Sequence, residues 1–254
     1  RPDVQSEEQV AGELRAAHER LAAAGSVAVV GGGAAAVSSA LNLARAWPST
    51  RVNLYFPGER ALPAHHHRVW HQVQRRLTEA GVDLHPGHRA VVPDDATCQV
   101  ISSSPVEWST GQPPAHADAV LWAIGRVRPN TGWLPDELLD EHGFVTVDPQ
   151  LRVPGAAGVW SVGDVAATDA LRTSARNRAD KLLARNVVAD LRGGRLRDYE
   201  PPRRRWGSVV GVQPDGLEVF AANGRAFRFP AWTIDSVLQP VIVRRGIYGG
   251  VRKP

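Results

Sequence analysis

Methionine is absent from all 254 residues, position 1 included, and cysteine occurs once, at Cys98. The first absence predicts that the chain is a fragment, a processed form or an excised piece of a longer product. The second excludes a disulfide framework and any CxxC redox pair within these residues, and it points to a reducing, cytoplasmic setting. No run of 18 apolar residues exists, so no transmembrane helix is expected. The start, Arg1-Pro2-Asp3, is polar and predicts no secretory leader. Lysine is nearly missing too: Lys181 and Lys253 are the only ones, so the net charge of +4 comes from arginine. Those arginines are scattered among alanine, proline and glycine with no aromatic interleaving, which argues against a nucleic-acid partner. The densest cluster, Arg203-Arg204-Arg205, lies in a proline-flanked stretch and reads as a solvated linker.

What is present is ordinary for a globular protein, with 43% hydrophobic and 22% charged residues. The length suffices for one large domain or two modest ones. Val10, Leu14, Ala17 and Leu21 recur at helical spacing and predict a helix over residues 2–24, stopped by Gly25. Ser26-Val-Ala-Val-Val30 is a short apolar run suited to a buried parallel strand. Three glycines turn the chain, residues 34–47 read as an alanine- and leucine-rich helix ended by Pro48, and residues 51–56 read as a second strand. Together these make a βαβ unit. A further helix over 64–80, a strand over 82–85, a β-like meander over 90–114 and a buried strand over 119–124 follow. Beyond Gly125 the pattern predicts short strands at 144–147 and 158–161, one long helix over 169–191, and a small α+β tail after a linker over 195–205.

The glycine turn is the sharpest local signal. Gly31-Gly32-Gly33-Ala34-Ala35-Ala36 reads as GxGxxA between a strand and a helix, the context in which this pattern binds a dinucleotide. Gly31 permits the tight turn, Gly33 lets the backbone approach a pyrophosphate, and Ala36 allows close helix-strand packing. The helix start supplies free N–H groups and a positive dipole end. Outside such a unit the same residues would merely join a strand to a helix.

NAD enzymes place an acid at the end of the second strand to bind the ribose hydroxyls. Here that stretch reads Asn53-Leu-Tyr-Phe-Pro57, and the first acid is Glu59. Arg60, His65, His66, His67 and Arg68 follow; they form either a solvated loop and helix start or a group that neutralises a 2′-phosphate. NADPH should therefore bind at least as well as NADH. Consecutive helical residues point about 100° apart, so His65 to His67 cannot share one ion, and no metal site is expected. Two later segments are ambiguous alone. Gly125, directly after a buried strand, marks either a close backbone approach or a plain turn. Asp164, in Gly158-Val-Trp-Ser-Val-Gly-Asp164, either accepts hydrogen bonds from a sugar-like hydroxyl or caps a helix.

In this order, the three segments resemble the FAD- and NAD(P)-dependent pyridine-nucleotide reductases, from about Ser26 to Gly194. The likeness is to the branch of apoptosis-inducing-factor-homologous, ferroptosis-suppressor and type II NADH dehydrogenase proteins. The resemblance implies that Gly31 to Ala36 serve NAD(P)H, that Gly125 lies where the two nucleotide domains join near the cofactors, and that Gly163 and Asp164 contact FAD; Arg60, from the loop after the second strand, joins them as a cofactor-binding candidate. It implies an α/β fold: a Rossmann-like NAD(P)-binding domain at 1–124, the C-terminal part of an FAD-binding domain at 125–200, and a small α+β domain at 201–254. Hydride would pass from NAD(P)H to FAD and on to an unknown small-molecule or protein acceptor, with no side-chain acid or base required and no catalytic residue named.

Departures are part of the picture. The family's N-terminal FAD-binding segment is not in these residues, so a missing segment or second chain is the expected partner. Ser38 stands where this branch carries a Glu, and the arginine-rich stretch 172–178 replaces a milder one near the quinone. The lack of a cysteine pair speaks against disulfide reduction. The alternative is a non-catalytic NAD(P)H-binding or interaction module.

Overall fold

In the computed structural model, residues 6–93, 101–125, 129–169, 179–201 and 207–247 are described. Cys98, the 172–178 stretch and the Arg203 cluster lie outside them. Among the described residues, no helix is long and apolar enough to cross a membrane. The chain divides into two compact units, residues 5–125 with 204–254, and residues 126–203.

The larger unit is built on a parallel sheet. Strands β1 (Ser26–Val30), β2 (Arg51–Tyr55), β3 (Asp83–His85) and β4 (Ala119–Trp122) stand in the order β3-β2-β1-β4. Val27 to Val30 are all essentially inaccessible, as a strand covered on both faces requires. One face is covered by α2 (Ala34–Ala46) and α3 (His67–Glu79), whose Val37, Leu41, Val69, Val73 and Leu77 pack with Val52 and Leu54. Each such side chain contributes about 1.5–3 kcal/mol when fully removed from water. The other face is covered by the segment around residues 101–117, where Val106 and Trp108 pack on Ala28, Val30 and Val120. That segment forms single bridges rather than full strands.

The leading helix, α1 (Glu7–Ala23), starts later than its apolar spacing predicts. Ser6 caps it by a capping box with Gln9, and two acids in the first turn favour the dipole. The helix after β2 likewise starts at His67 rather than near residue 64, because Pro63 and the capping by His66 set its first turn.

The tail, expected as a small α+β domain at 201–254, groups with residues 5–125 in one compact unit. Strands β5 (Val212–Gln213), β6 (Gly216–Phe220) and β7 (Ala226–Phe229) form an antiparallel sheet. Its Val209, Val210 and Phe220 belong to the same apolar core as α2 and α3. Alternation along β6 points Glu218 inward with Phe220, and there the carboxylate meets Arg76 of α3 at 3.3 Å, both side chains being 7% exposed. Asp215 pairs with Arg76 at 3.0 Å and with Arg228 at 2.9 Å. One helical turn, Ala231–Thr233, then runs into a wider π-type helix over Ile234–Ile247 that holds Pro240.

In the smaller unit, single bridges link Leu139 to Val145, Val145 to Ala166 and Arg152 to Trp160. Gly163–Val165 form a 3-10 turn. A final helix, α4, spans Ala179–Leu191. Asp169, expected to begin that helix, lies outside it; its carboxylate accepts a 2.6 Å hydrogen bond from the Tyr199 hydroxyl. Burial and that acid together raise the Tyr199 pKa strongly.

Candidate nucleotide-binding site

The order of the strands fixes where a ligand sits. β2 lies on one side of β1 and β4, reached only after β3, on the other, so the strand order reverses at β1, the point where open α/β sheets bind ligands in a crevice at the strands' carboxyl ends. The turn Gly31–Gly33 is at that point.

Gly31 is held from both sides. Its amide donates to the Tyr55 carbonyl at 2.9 Å. Its φ is +147°, and a β-carbon built on it would fall 2.2 Å from the Ala123 carbonyl oxygen at the end of β4. The glycine is therefore demanded by the neighbouring strand as well as by the turn. Gly33 differs. A β-carbon there would meet nothing within 4 Å, and the residue is exposed. It is the N-cap of α2, with no side chain to compete for the helix's first donors.

The first intrahelical bond runs from the Val37 amide to the Gly33 carbonyl. The amides of Ala34, Ala35 and Ala36 come before it, and among the described residues they have no acceptor; they are the orphan donors of a helix start. Ala36 is fully buried against β1, which lets the helix begin close to the sheet. Open backbone, unspent N–H groups and the positive end of α2 converge on one spot and suit an anion such as a pyrophosphate.

The next loop is braced onto this turn. The Leu62 amide donates to the Gly32 carbonyl at 2.7 Å. The Arg60 guanidinium donates to the carbonyls of Leu62, Pro63 and His65 at 3.1–3.3 Å. Arg60 thus holds its own loop in place, and the exposed cation nearest in sequence is Arg68, on the first turn of α3. Desolvation and the neighbouring His66, His71, Arg68 and Arg60 lower the His67 pKa, the mark of a locally positive surface. His66 accepts from the Arg68 amide as the cap of α3. Sequence reasoning missed this bracing role; the signal available was only an arginine two residues past a Pro-Gly turn.

No acid ends β2. Tyr55 instead turns to the far face, stacked on His85 at 4.3 Å and on Trp108 at 4.7 Å. Burial raises its hydroxyl pKa against the opposing pull of Arg51.

Gly125 follows the end of β4 in a left-handed conformation, φ +73°, with open space over its α-carbon. Gly163 and Asp164 belong to the smaller unit. Asp164 does not cap the 3-10 turn, whose N-cap is Val162. Its carboxylate is exposed, and among the described residues it has no hydrogen-bond or ion-pair partner, so it is free to accept from a hydroxyl.

The comparisons with known proteins agree with this architecture. An oxidoreductase of Pestalotiopsis fici, ptaL, is 26% identical over 234 residues, spanning 89% of this chain and 58% of that protein. Dihydrolipoyl dehydrogenase of Pseudomonas aeruginosa is 30% identical over 192 residues, 68% of this chain and 39% of its own length. The chain thus spans about half the length of the curated relatives it matches. Among solved structures, the HOCl-induced flavoprotein disulfide reductase RclA from Escherichia coli superposes with a TM-score of 0.58 at 23% identity, over 78% of this chain and 42% of that one. A family profile described as pyridine nucleotide-disulphide oxidoreductase matches residues 4–185. With an open glycine turn at the strand-order reversal of a parallel sheet and that match over most of its length, the chain belongs to the pyridine nucleotide-disulphide oxidoreductase family.

Proposed function

We propose that the chain is the NAD(P)H-binding portion of a flavin-dependent oxidoreductase that takes hydride from NAD(P)H to FAD and on to a small-molecule or protein acceptor. The observation that carries this reading is the open space over Gly33 beside the unpaired amides of Ala34 to Ala36. The pyrophosphate of the dinucleotide lies there, with Gly125 bordering the same crevice.

Asp164 and Gly163 fit a share of an FAD site, because an exposed, unpaired carboxylate suits a ribityl hydroxyl. When bound, FAD supplies the ring that accepts hydride from the nicotinamide. The chain's own residues bind and orient; none is needed as an acid or base for that transfer. The remaining flavin contacts come from a further segment or a second chain, in keeping with the chain's span of about half its relatives. The three segments in order support placement near the apoptosis-inducing-factor-homologous, ferroptosis-suppressor and type II NADH dehydrogenase branch. The setting is the cytoplasm, which the single cysteine favours.

At the adenosine end, Arg68 rather than Arg60 is the cation for a 2′-phosphate, since the Arg60 guanidinium is committed to three carbonyls. One observation favours a second reading, a nucleotide-binding module without turnover: the whole glycine-turn site lies within the unit of residues 5–125 and 204–254 and uses nothing from Gly163 or Asp164. Titration calorimetry with NADH and NADPH, on the chain and on Gly33→Val, tests the site. Binding lost in the variant is expected, and unchanged binding rejects the assignment. Bleaching of added flavin by NAD(P)H separates the two readings.

A further inference from the structure

The smaller unit carries a cavity that the nucleotide site does not use. About 370 Å³ in volume, it lies along the second half of α4 and is lined by Arg185, Asn186, Ala189, Arg195 and Arg197. Three guanidinium-bearing residues and no acid line it. Among the described residues, none of the three arginines has an ion-pair or side-chain hydrogen-bond partner.

Two local devices build it. First, α4 ends in a left-handed glycine: Gly193 has φ +65°, and the Gly194 amide returns to the Ala189 carbonyl at 2.7 Å. This turn reverses the chain, so that residues 195–197 run back beside the helix. It also occupies one of the orphan carbonyls that make a helix C-terminus repel anions. Second, Asn186, 1% exposed, pins the returning chain. Its amide nitrogen donates to the carbonyls of Arg197 at 2.8 Å and Gln150 at 2.9 Å, and its oxygen accepts from the Arg197 amide at 3.0 Å. All five of these backbone and side-chain groups are thereby satisfied, and Arg195 and Arg197 of the returning chain line the cavity together with Arg185 of α4. Asp198, next in the chain to Arg197, accepts from the Gln150 side-chain amide instead of pairing with an arginine.

We propose that this cavity is a binding site for a small multiply charged phosphate, separate from the dinucleotide site. Arginine presents a planar fork of donors that matches phosphate oxygens two at a time, and the Asn186 bonds hold the backbone from which Arg197 projects. Three cations around one space call for a ligand of two or more negative charges, which a pyrophosphate or phosphate monoester concentrates in one group and a single carboxylate lacks.

Pyrophosphate titrated into the full chain by calorimetry tests this, with two variants as arms. In Gly33→Val, which closes the glycine turn, pyrophosphate binding at the cavity is expected to persist. In the double variant Arg195→Gln/Arg197→Gln it should weaken by about tenfold or more, while NAD(P)H binding stays unchanged. Arg75→Gln, a surface arginine on α3, serves as the charge control and should leave pyrophosphate binding as it is. Binding that disappears in Gly33→Val belongs to the glycine turn and overturns the proposal. So does binding that is absent in the unaltered chain, or that falls equally in Arg75→Gln, which would mark diffuse surface charge. Loss of NAD(P)H binding alone would defeat the nucleotide assignment and leave this one standing.

Discussion

A β-carbon on Gly31 would stand 2.2 Å from the carbonyl oxygen of Ala123, a residue 92 positions later in the chain. Real atoms do not approach that closely, so either the turn or the end of β4 must shift to admit one. Gly33, two residues on, has nothing within 4 Å. The two glycines of one motif therefore predict opposite phenotypes. Gly31→Ala should destabilise the fold by about 2–3 kcal/mol through overpacking and strain. Gly33→Val should leave stability within about 1 kcal/mol and abolish NAD(P)H binding. Urea unfolding combined with calorimetry measures both; equal stability losses in the two variants would refute the distinction.

Arg76 fastens the tail to α3. Replacing it by Ala strands the Glu218 carboxylate, 7% exposed, with only Arg228 at 3.3 Å to offset it. Leaving a buried charge short of its partner costs about 3–5 kcal/mol, and Arg228 should keep the loss near the lower end. Chemical denaturation reads the change, and a loss under about 1 kcal/mol would show the network to be marginal.

The same network carries a pH dependence. Burial opposes the charge on Asp215, but Arg76 and Arg228 outweigh it and hold the carboxyl below its ordinary 3.8. A depressed folded-state value means that the stabilisation is fully present above the unfolded-state value and is lost as pH falls through the lower folded-state one. Tail docking should thus be indifferent to pH from 5 to 8, about one unit and more above the ordinary carboxylate range, and weaken only below it. Asp215→Asn should flatten the acid limb of a stability-versus-pH curve; an unchanged limb would exclude Asp215 as its source.

At the adenosine end, Arg68→Ala should weaken NADPH by about tenfold, or 1.4 kcal/mol, and spare NADH. Arg60→Ala should weaken both together, because it loosens the loop that rests on Gly32 rather than removing a phosphate contact. A selective loss of NADPH in Arg60→Ala would reverse these roles.

Asp164→Ala tests the flavin share of the reading. These 254 residues alone should purify colourless and take up FAD weakly, since one carboxylate and one turn must then order a large ligand. Supplied with an FAD-binding segment, in cis or as a second chain, the protein should become yellow and be bleached by NAD(P)H. In that form Asp164→Ala should lower FAD retention and leave NAD(P)H affinity intact. A flavin indifferent to Asp164→Ala would remove the residue from the site, and a protein that stays colourless would favour binding without turnover.

The parts legible in the sequence were those governed by neighbours in the chain. Four apolar residues after Ser26, three glycines and an alanine-rich stretch suffice to place a strand, a turn and a helix, because backbone conformation and helical or strand periodicity are local properties. Cross-chain placement was not legible. Nothing near Gly31 announces the carbonyl of Ala123, and nothing near Arg60 says that its guanidinium turns back onto Leu62, Pro63 and His65 instead of toward a ligand. The tail reads as a separate domain because its strands and turns are locally self-contained. Only folding brings Glu218 of β6 under Arg76 of α3, where the cost of burying either charge alone joins the tail to the unit that carries the glycine turn. Element type follows from short-range sterics and spacing, whereas the partner of each buried polar group depends on which distant segments share a core.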